Sequence, residues 1–351
     1  MKKILYVLDQ PNLYGSELHL LKLVKLFKEE YRVTVCVFGD GPLVEKLNEW
    51  CEVVHFPLKW YPTSQALRFA NFLKNQRFDI VHAHQPKALL WGSILGRLFS
   101  KTSIVTVHSL PDNNRDSYQN FIKASLVYYF HSAVKCVAEL FANKVIYLSK
   151  FSLDKALFPS KSLIIPNWIN PKGDLINKVF NPSVIRMISV GSVTFHKGYD
   201  RLIDALALVN HTNWTLDVYG GIDQTFKEEL DAKIQKHGLE QRIKFCGYAD
   251  KIELVMNDYD FFALFSRGET FGLVYIEAML HGLPVIAWKI PVLEDIIPDG
   301  NFIIEDYSSI SEIFNQITDG QYSAISLANQ QHVRKRFSQM NIKTIYQELY
   351  G

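Results

Sequence analysis

Cysteine is scarce in this 351-residue chain: Cys36, Cys51, Cys136 and Cys246 stand far apart, with no C-x-x-C pair and no histidine at metal-ligand spacing beside them. Disulfide frameworks, zinc and iron–sulfur centres are therefore not expected, and a reducing cytoplasm fits. Long apolar runs are missing as well. The longest, Ala124 to Ala142, is broken by His131, Lys135 and Glu139, and the apolar start Ile4 to Leu8 meets Asp9 at once. Neither is expected to span a membrane or act as a leader. There is no low-complexity segment, no repeat shorter than a domain, and the thirteen prolines are scattered. A disordered or fibrous chain is excluded.

Net charge is also small, at +2, but it is unevenly spread: residues 1–170 carry 21 Lys and Arg against 13 Asp and Glu, and the rest 17 against 23. An anionic partner is expected for the first half only. No basic stretch with interleaved aromatics stands out, so nucleic acid is not an expected partner.

What the chain does have is alternation. Short β-branched runs are separated by helical patterns, the signature of parallel sheets with crossover helices. The first series is Ile4 to Leu8, Arg32 to Phe38, Val53 to Phe56, Asp79 to Ala83, Ser103 to His108 and Val145 to Leu148. A second series follows: Val184 to Val190, Thr215 to Tyr219, Ile243 to Phe245, Phe261 to Phe265, Pro284 to Ala287 and Phe302 to Ile304. The length suits two cores, so the expected class is α/β with two doubly wound parallel-sheet domains. Pro and Asn cluster between Pro166 and Asn181, which sets domains at 1–167 and 168–325. Residues 326–351 are expected to form a helix that returns to the first domain.

The segment from Phe265 to Ala287 carries the most chemistry. A strand end is followed by Glu269 in a polar turn, and Gly272 opens a helix that contains Glu277. Free N–H groups at a helix N-terminus favour phosphate or hydroxyl oxygens, and paired carboxylates accept hydrogen bonds from sugar or ribose hydroxyls. An N-terminal helix charge plus an exposed glutamate is the alternative meaning of those two residues.

Glu269 and Glu277 stand in the E-x7-E spacing of retaining glycosyltransferases. With Ser266, Phe271-Gly272, Ala278-Met279 and Gly282-x-Pro284-Val285, the segment resembles glycosyltransferase family four. The resemblance implies the GT-B fold, two facing Rossmann-like domains with the nucleotide sugar held mainly by the second. It implies that Glu269 meets the transferred sugar, Glu277 the ribose, and that Thr270, Phe271, Gly272 and Leu273 lie against the donor.

Further landmarks extend the resemblance over nearly the whole chain. Val190 to Gly198 resembles the family's lysine–glycine segment, so Lys197 corresponds to the cation that neutralises the leaving diphosphate, with Ser192 and His196 beside it. The family's arginine is Ser192 here, and His196, Arg201 or Arg267 is the candidate substitute. Tyr219, Gly220 and Tyr248 fall in segments that resemble the family's loops lining the nucleotide pocket. In the first domain Gly15, Ser16 and Glu17 resemble a Gly-Gly-x-Glu loop, with Tyr14 replacing the first glycine. Gly15 and Ser16 are expected near the donor phosphate, and Glu17, His84, His108 and Ser109 on the acceptor side. His108 is the expected catalytic histidine, together with Lys197 and Glu269, while His82 is expected to pack. Trp168 replaces glycine in a segment resembling the family's hinge, and Ser109 to Gln119 is expected to face the acceptor.

The implied function is metal-independent, retaining transfer of a sugar from a nucleotide diphosphate, UDP before GDP, onto a glycan or lipid-linked acceptor in cell-surface polysaccharide assembly. No metal and no cofactor are expected; the nucleotide sugar is a substrate. The alternatives are a catalytically impaired sugar-nucleotide-binding protein, supported by Ser192 and Tyr14, and a GT-B sugar-nucleotide epimerase. Docking on the inner face of an anionic plasma membrane is expected through two helices. In one, Lys22, Lys25 and Lys28 alternate with Leu23, Val24, Leu26 and Phe27; the other holds Trp91, Ile94, Leu95, Leu98 and Phe99 with Lys87, Arg97 and Lys101.

Overall fold

The computed structural model describes the chain except for residues 116, 117, 119, 172, 182, 211, 212 and 250 and the side chain of residue 114. It divides into two compact units. Met1–Arg115, Ile122–Asn167 and Lys343–Gly351 make the first, and the second is mainly Trp168–Ile342.

The first unit is a seven-stranded sheet of β1 (Lys3–Leu8), β2 (Arg32–Val37), β3 (Glu52–His55), β4 (Ile80–His84), β5 (Thr102–Val107), β6 (Lys144–Tyr147) and β7 (Ser162–Ile164). All pairs are parallel, in the order β3-β2-β1-β4-β5-β6-β7. The second unit has β8 (Ile185–Val190), β9 (Trp214–Tyr219), β10 (Ile243–Gly247), β11 (Phe261–Leu264), β12 (Val285–Trp288) and β13 (Phe302–Ile304). They pair in parallel in the order β10-β9-β8-β11-β12-β13. A parallel strand can be reached only by a crossover, which is why helices intervene throughout. In the first unit these are α1 (Gly15–Phe27), α2 (Leu43–Asn48), α3 (Ser64–Gln76), α4 (Pro86–Phe99), α5 (Pro111–Arg115), α6 (Phe121–Phe141) and α7 (Lys150–Leu153). The second holds α8 (Tyr199–Leu206), α9 (Gln224–His237), α10 (Ile252–Val255), α11 (Leu273–Leu280), α12 (Pro291–Ile296), α13 (Ser309–Gln316) and α14 (Asp319–Arg336); α15 (Gln339–Tyr350) ends the chain.

Two expectations need correction. Ser162–Ile164, absent from the strand series expected from sequence, is an edge strand, too short to announce itself by periodicity. The terminal stretch is two helices, α14 and α15, interrupted at Phe337 and Ser338. Phe337 is buried and Ser338 bridges Ile169, which turns the chain. Within the first unit the last residues are fixed by aromatic contacts: Tyr350 lies 5.2 Å from the Phe27 ring, and its hydroxyl is 2.8 Å from His82 Nδ1.

The central strands β1, β4, β5, β11 and β12 are buried almost throughout, giving each sheet a core on its two faces, while the edge strands β3, β7, β10 and β13 are partly exposed. Helix α6 is tied down by a buried polar group instead of by apolar contact alone. Glu139, fully buried, takes Lys135 Nζ at 2.5 Å, the Tyr147 hydroxyl at 2.6 Å and the Leu157 amide at 2.8 Å. Removing one partner of a buried pair leaves an uncompensated charge. Lys135→Met is therefore expected to destabilise the protein by about 3 kcal/mol, and Lys135→Met with Glu139→Leu by much less. Urea unfolding of both variants checks this; equal losses would remove the ion pair as the cause.

Candidate active site

In each sheet the strand order reverses once, between β1 and β4 and between β8 and β11, and loops leaving such adjacent strands in opposite directions open a crevice at their carboxyl ends. The sequence-derived residues gather there. Gly15, Ser16 and Glu17 follow β1, His84 ends β4 and His108 follows β5; Ser192 and Lys197 follow β8, Tyr219 and Gly220 close β9, and Ser266 to Glu269 follow β11.

The second unit's crevice is built from two loops that approach very closely. Gly198 has φ +66°, and a Cβ there would sit 1.9 Å from the Phe265 carbonyl oxygen, so only glycine permits the contact. The Arg267 amide donates to the His196 carbonyl at 2.9 Å. Its guanidinium grips Asp200 with two bonds of 2.8 and 2.6 Å, donates to the Phe195 carbonyl and lies 3.7 Å over the Phe195 ring. Held by that clamp, Lys197 Nζ reaches Glu269 Oε1 at 2.6 Å, and Ser266 Oγ donates to the same oxygen at 2.8 Å. Burial alone would raise the Glu269 carboxyl, but Lys197, His196 and Ser266 overcome it and hold it below the usual carboxylate range. The site thus keeps an ionised carboxylate and a fixed cation in contact.

Of the candidates for the missing arginine at Ser192, Arg267 directs three of its N–H donors to Asp200 and the Phe195 carbonyl. Arg201 lies 5.7 Å from the Trp288 ring centre, a stacking position. His196 remains beside Glu269. Of the other expected donor residues, Thr270 and Phe271 are buried, and Gly272 caps α11 at φ +84° with Leu273 next in the helix. Glu277 is half-buried on α11. Tyr219 meets the Tyr259 hydroxyl at 3.3 Å, the Gly220 amide donates to the Gly247 carbonyl at 2.8 Å, and Tyr248 is exposed.

In the first unit the Gly15 loop is positioned by Gln85, which no motif in the sequence singles out. Gln85 has φ +70°, and its Oε1 accepts the Asp9 and Gln10 amides at 3.0 and 2.9 Å while Nε2 reaches Ser16 Oγ at 3.3 Å. Such a conformation in a non-glycine residue costs energy and is held by those bonds. A Cβ on Gly15 would meet open space, so the protein's own packing does not require glycine there. Ser16 Oγ donates to the buried Glu17 carboxylate at 2.6 Å. Ser109 Oγ lies 3.4 Å from the Leu110 carbonyl. Of the Ser109 to Gln119 stretch, residues 116, 117 and 119 lie outside the described residues.

His19 is the other residue that sequence spacing hides. Imidazole nitrogens of His19, His84 and His108 lie within 4.8 Å of one another. His84 Nδ1 lies 2.9 Å from His108 Nε2 and His19 Nδ1 lies 2.7 Å from Asn167 Oδ1, while His84 Nε2 is buried with no hydrogen-bond partner among the described residues. His82 packs as expected, between the Tyr350 hydroxyl and Thr106 Oγ1 at 2.8 Å each. Desolvation lowers all four histidines, His19 to about 3 and His82, His84 and His108 well below 6.5. They are neutral at pH 7, so each can donate or accept a hydrogen bond without carrying charge.

Comparison with known proteins fits this geometry. The family model described as Glycosyltransferase Family 4 matches residues 14–172, and the one described as Glycosyl transferases group 1 matches residues 176–335. The chain belongs to the family four glycosyltransferases. It is 27% identical to the O-antigen biosynthesis glycosyltransferase WclY of Escherichia coli, over 99% of this chain and 98% of that one. A second Escherichia coli relative is named UDP-Gal:alpha-D-GlcNAc-diphosphoundecaprenol alpha-1,3-galactosyltransferase; it is 25% identical over 93% of this chain and 90% of its own. The crystal structure of Anabaena HepE in complex with UDP-glucose superposes with a TM-score of 0.82 at 23% identity, covering 99% of each chain. That likeness makes this glycosyltransferase a GT-B protein with two Rossmann-like domains.

The buried histidines give a stability prediction. Their native values lie below the unfolded 6.5, so unfolding takes up protons as pH falls below 6.5, and stability present above that value is lost progressively toward the native value, about 3 for His19. Each such proton steepens the loss by about 1.4 kcal/mol per pH unit. Thermal unfolding should show Tm falling between pH 6.5 and pH 5, above the range where carboxylates titrate, and a flat Tm across that window would contradict the burial of these rings.

Proposed function

We propose that this glycosyltransferase moves a sugar with retention of configuration from a nucleotide diphosphate, UDP before GDP, to a hydroxyl of a glycan or lipid-linked acceptor, in the cytoplasm and without a metal ion. The observation that carries the reading is the Lys197–Glu269 contact at the second unit's crevice, inside the E-x7-E frame. A departing diphosphate gains negative charge, and a preorganised ammonium offsets it where a metal would otherwise be needed. On donor binding Lys197 turns toward the phosphates, Glu269 is left to accept hydrogen bonds from the sugar, and Glu277 takes the ribose hydroxyls. Thr270, Phe271, Gly272 and Leu273 present the helix N-terminus to the donor.

In the transfer step the bond between the anomeric carbon and the diphosphate oxygen breaks while the acceptor oxygen bonds to the same face. The acceptor proton passes to the departing phosphate oxygen, so no carboxylate nucleophile is required. Neutral His108, at the carboxyl end of β5, orients a hydroxyl. The donor is supported by the HepE complex, which holds UDP-glucose, and by the galactosyltransferase's name, which specifies UDP-Gal. That name also specifies a diphosphoundecaprenol-linked acceptor, and WclY's specifies O-antigen biosynthesis; together they favour a lipid-linked or glycan hydroxyl in surface polysaccharide assembly.

Ser192, with Arg267 paired to Asp200, favours one second reading: a protein that binds nucleotide sugar but turns it over poorly. Turnover of a nucleotide-sugar panel, followed by release of nucleotide diphosphate and by the anomeric signal of the product, separates the two. Binding without turnover by any donor would favour the second reading. Lys197→Ala and Glu277→Gln should each lower kcat by roughly a hundredfold or more, on the order of 3 kcal/mol in the barrier. Because Lys197→Ala also strips a buried carboxylate of its partner, its thermal unfolding is measured beside kcat, and an unchanged transition assigns the loss to catalysis. Chelation with EDTA should leave the rate unchanged.

A further inference from the structure

The charge excess of the first half is concentrated in one stretch: residues 53–141 hold ten Lys and Arg against four Asp and Glu. This stretch contains α3, α4, α5 and α6. The two helices expected from sequence to dock on a membrane offer no continuous apolar face: Leu23, Val24 and Phe27 on α1 and Trp91 and Leu95 on α4 are buried in the first unit's core, and Leu98 is exposed by itself. Lys87 and Lys101 are already paired, with Asp9 and Asp79.

Helix α6 is different. Ile122, Leu126, Tyr129 and Phe130 follow one another at helical spacing along one side and are 72%, 67%, 70% and 46% exposed, while Ala124, Val134 and Ala138 are buried. The Phe130 ring packs edge-on at 4.8 Å against Trp60, itself partly exposed beside exposed Tyr61, so the stripe continues into a second aromatic segment. Lys59 and Lys123 are exposed on the same two segments. The sequence from Ser117 to Ala138 contains no acidic residue, and Glu139 beyond it is buried.

We infer that α6 and the Trp60–Tyr61 segment form a docking surface for an anionic lipid bilayer. Other exposed apolar side chains of the first unit, such as Leu67, Leu98 and Leu157, lie on different segments, whereas a contiguous exposed apolar patch marks an interaction site. An amphipathic helix lying in the interface plane buries its apolar side chains at the headgroup boundary, where Trp and Tyr are favoured, while flanking lysines meet anionic lipid. The net positive charge of the surrounding stretch selects that partner over a neutral or basic protein surface. The Lys135–Glu139–Tyr147 network, at the far end of α6, holds the helix in place. The inference gives a location to the lipid-linked acceptor proposed above and rests on that reading only for its purpose, since vesicle binding is measured without donor or acceptor.

Co-sedimentation of the full chain with phosphatidylcholine vesicles, with and without about one-third phosphatidylglycerol, at roughly 0.05 M and 0.5 M salt tests it. The wild type should bind the anionic vesicles at low salt, at least tenfold less at high salt, and weakly to neutral vesicles. The exposed-residue variant Trp60→Ser, Ile122→Ser, Leu126→Ser, Tyr129→Ser should lose at least tenfold in binding with an unchanged thermal transition. A variant that binds like the wild type overturns the inference, as does a wild type that ignores the vesicles. A wild type that instead self-associates, with a dimer dissolved by the same substitutions, assigns the patch to a second copy and also overturns it.

Discussion

Parallel strand pairing is the constraint from which the rest of the structure follows. A parallel neighbour cannot be reached by a tight turn, so every connection must cross a face of the sheet and emerge at the opposite end. All strand-to-helix loops therefore leave from the carboxyl edge, and where the order reverses, between β1 and β4 and between β8 and β11, these loops diverge. The residues capable of chemistry are found there because backbone at that edge is free of sheet hydrogen bonds and can present both side chains and amides.

Within the second unit the crevice is shaped by electrostatics laid over close backbone contact. Gly198 brings the loop after β8 against the Phe265 carbonyl, and the Arg267–Asp200 pair locks that approach. Lys197 and Glu269 meet as a result, in a site where neither is fully solvated. A buried ion pair contributes little to stability by itself, because desolvation offsets attraction. Its value lies in preorganisation: the cation is already in position, and ligand binding exchanges one anionic partner for another. The first unit uses neutral polar groups instead, with Gln85 bracing the Gly15 loop and the imidazoles of His19, His84 and His108 kept uncharged by burial.

Much of the fold was legible from local pattern. Runs such as Arg32–Val37 and Phe261–Leu264 are buried on both faces, so they read as continuous apolar segments bounded by turns. Ser162–Ile164 did not read as a strand, because three residues at a sheet edge show no period and make few demands on composition. The site was legible where one contiguous segment carries it, as from Ser266 to Glu277. It was not legible where partners come from separate strands.

The sequence by itself determined the alternation of strands and helices, the position of Glu269 and Glu277 around a helix start, and the placement of Lys197 before the glycine that its loop requires. These are properties of neighbouring residues, set by backbone sterics and side-chain period. Only the tertiary structure decided that Arg267 belongs to Asp200, that His19 joins His84 and His108, and that α6, not α1 or α4, keeps an apolar side uncovered. An amphipathic helix announces an apolar face but not what covers it, and a cation announces a charge but not its partner. Both are settled by which strands stand next to each other, and that order is a consequence of packing the whole chain.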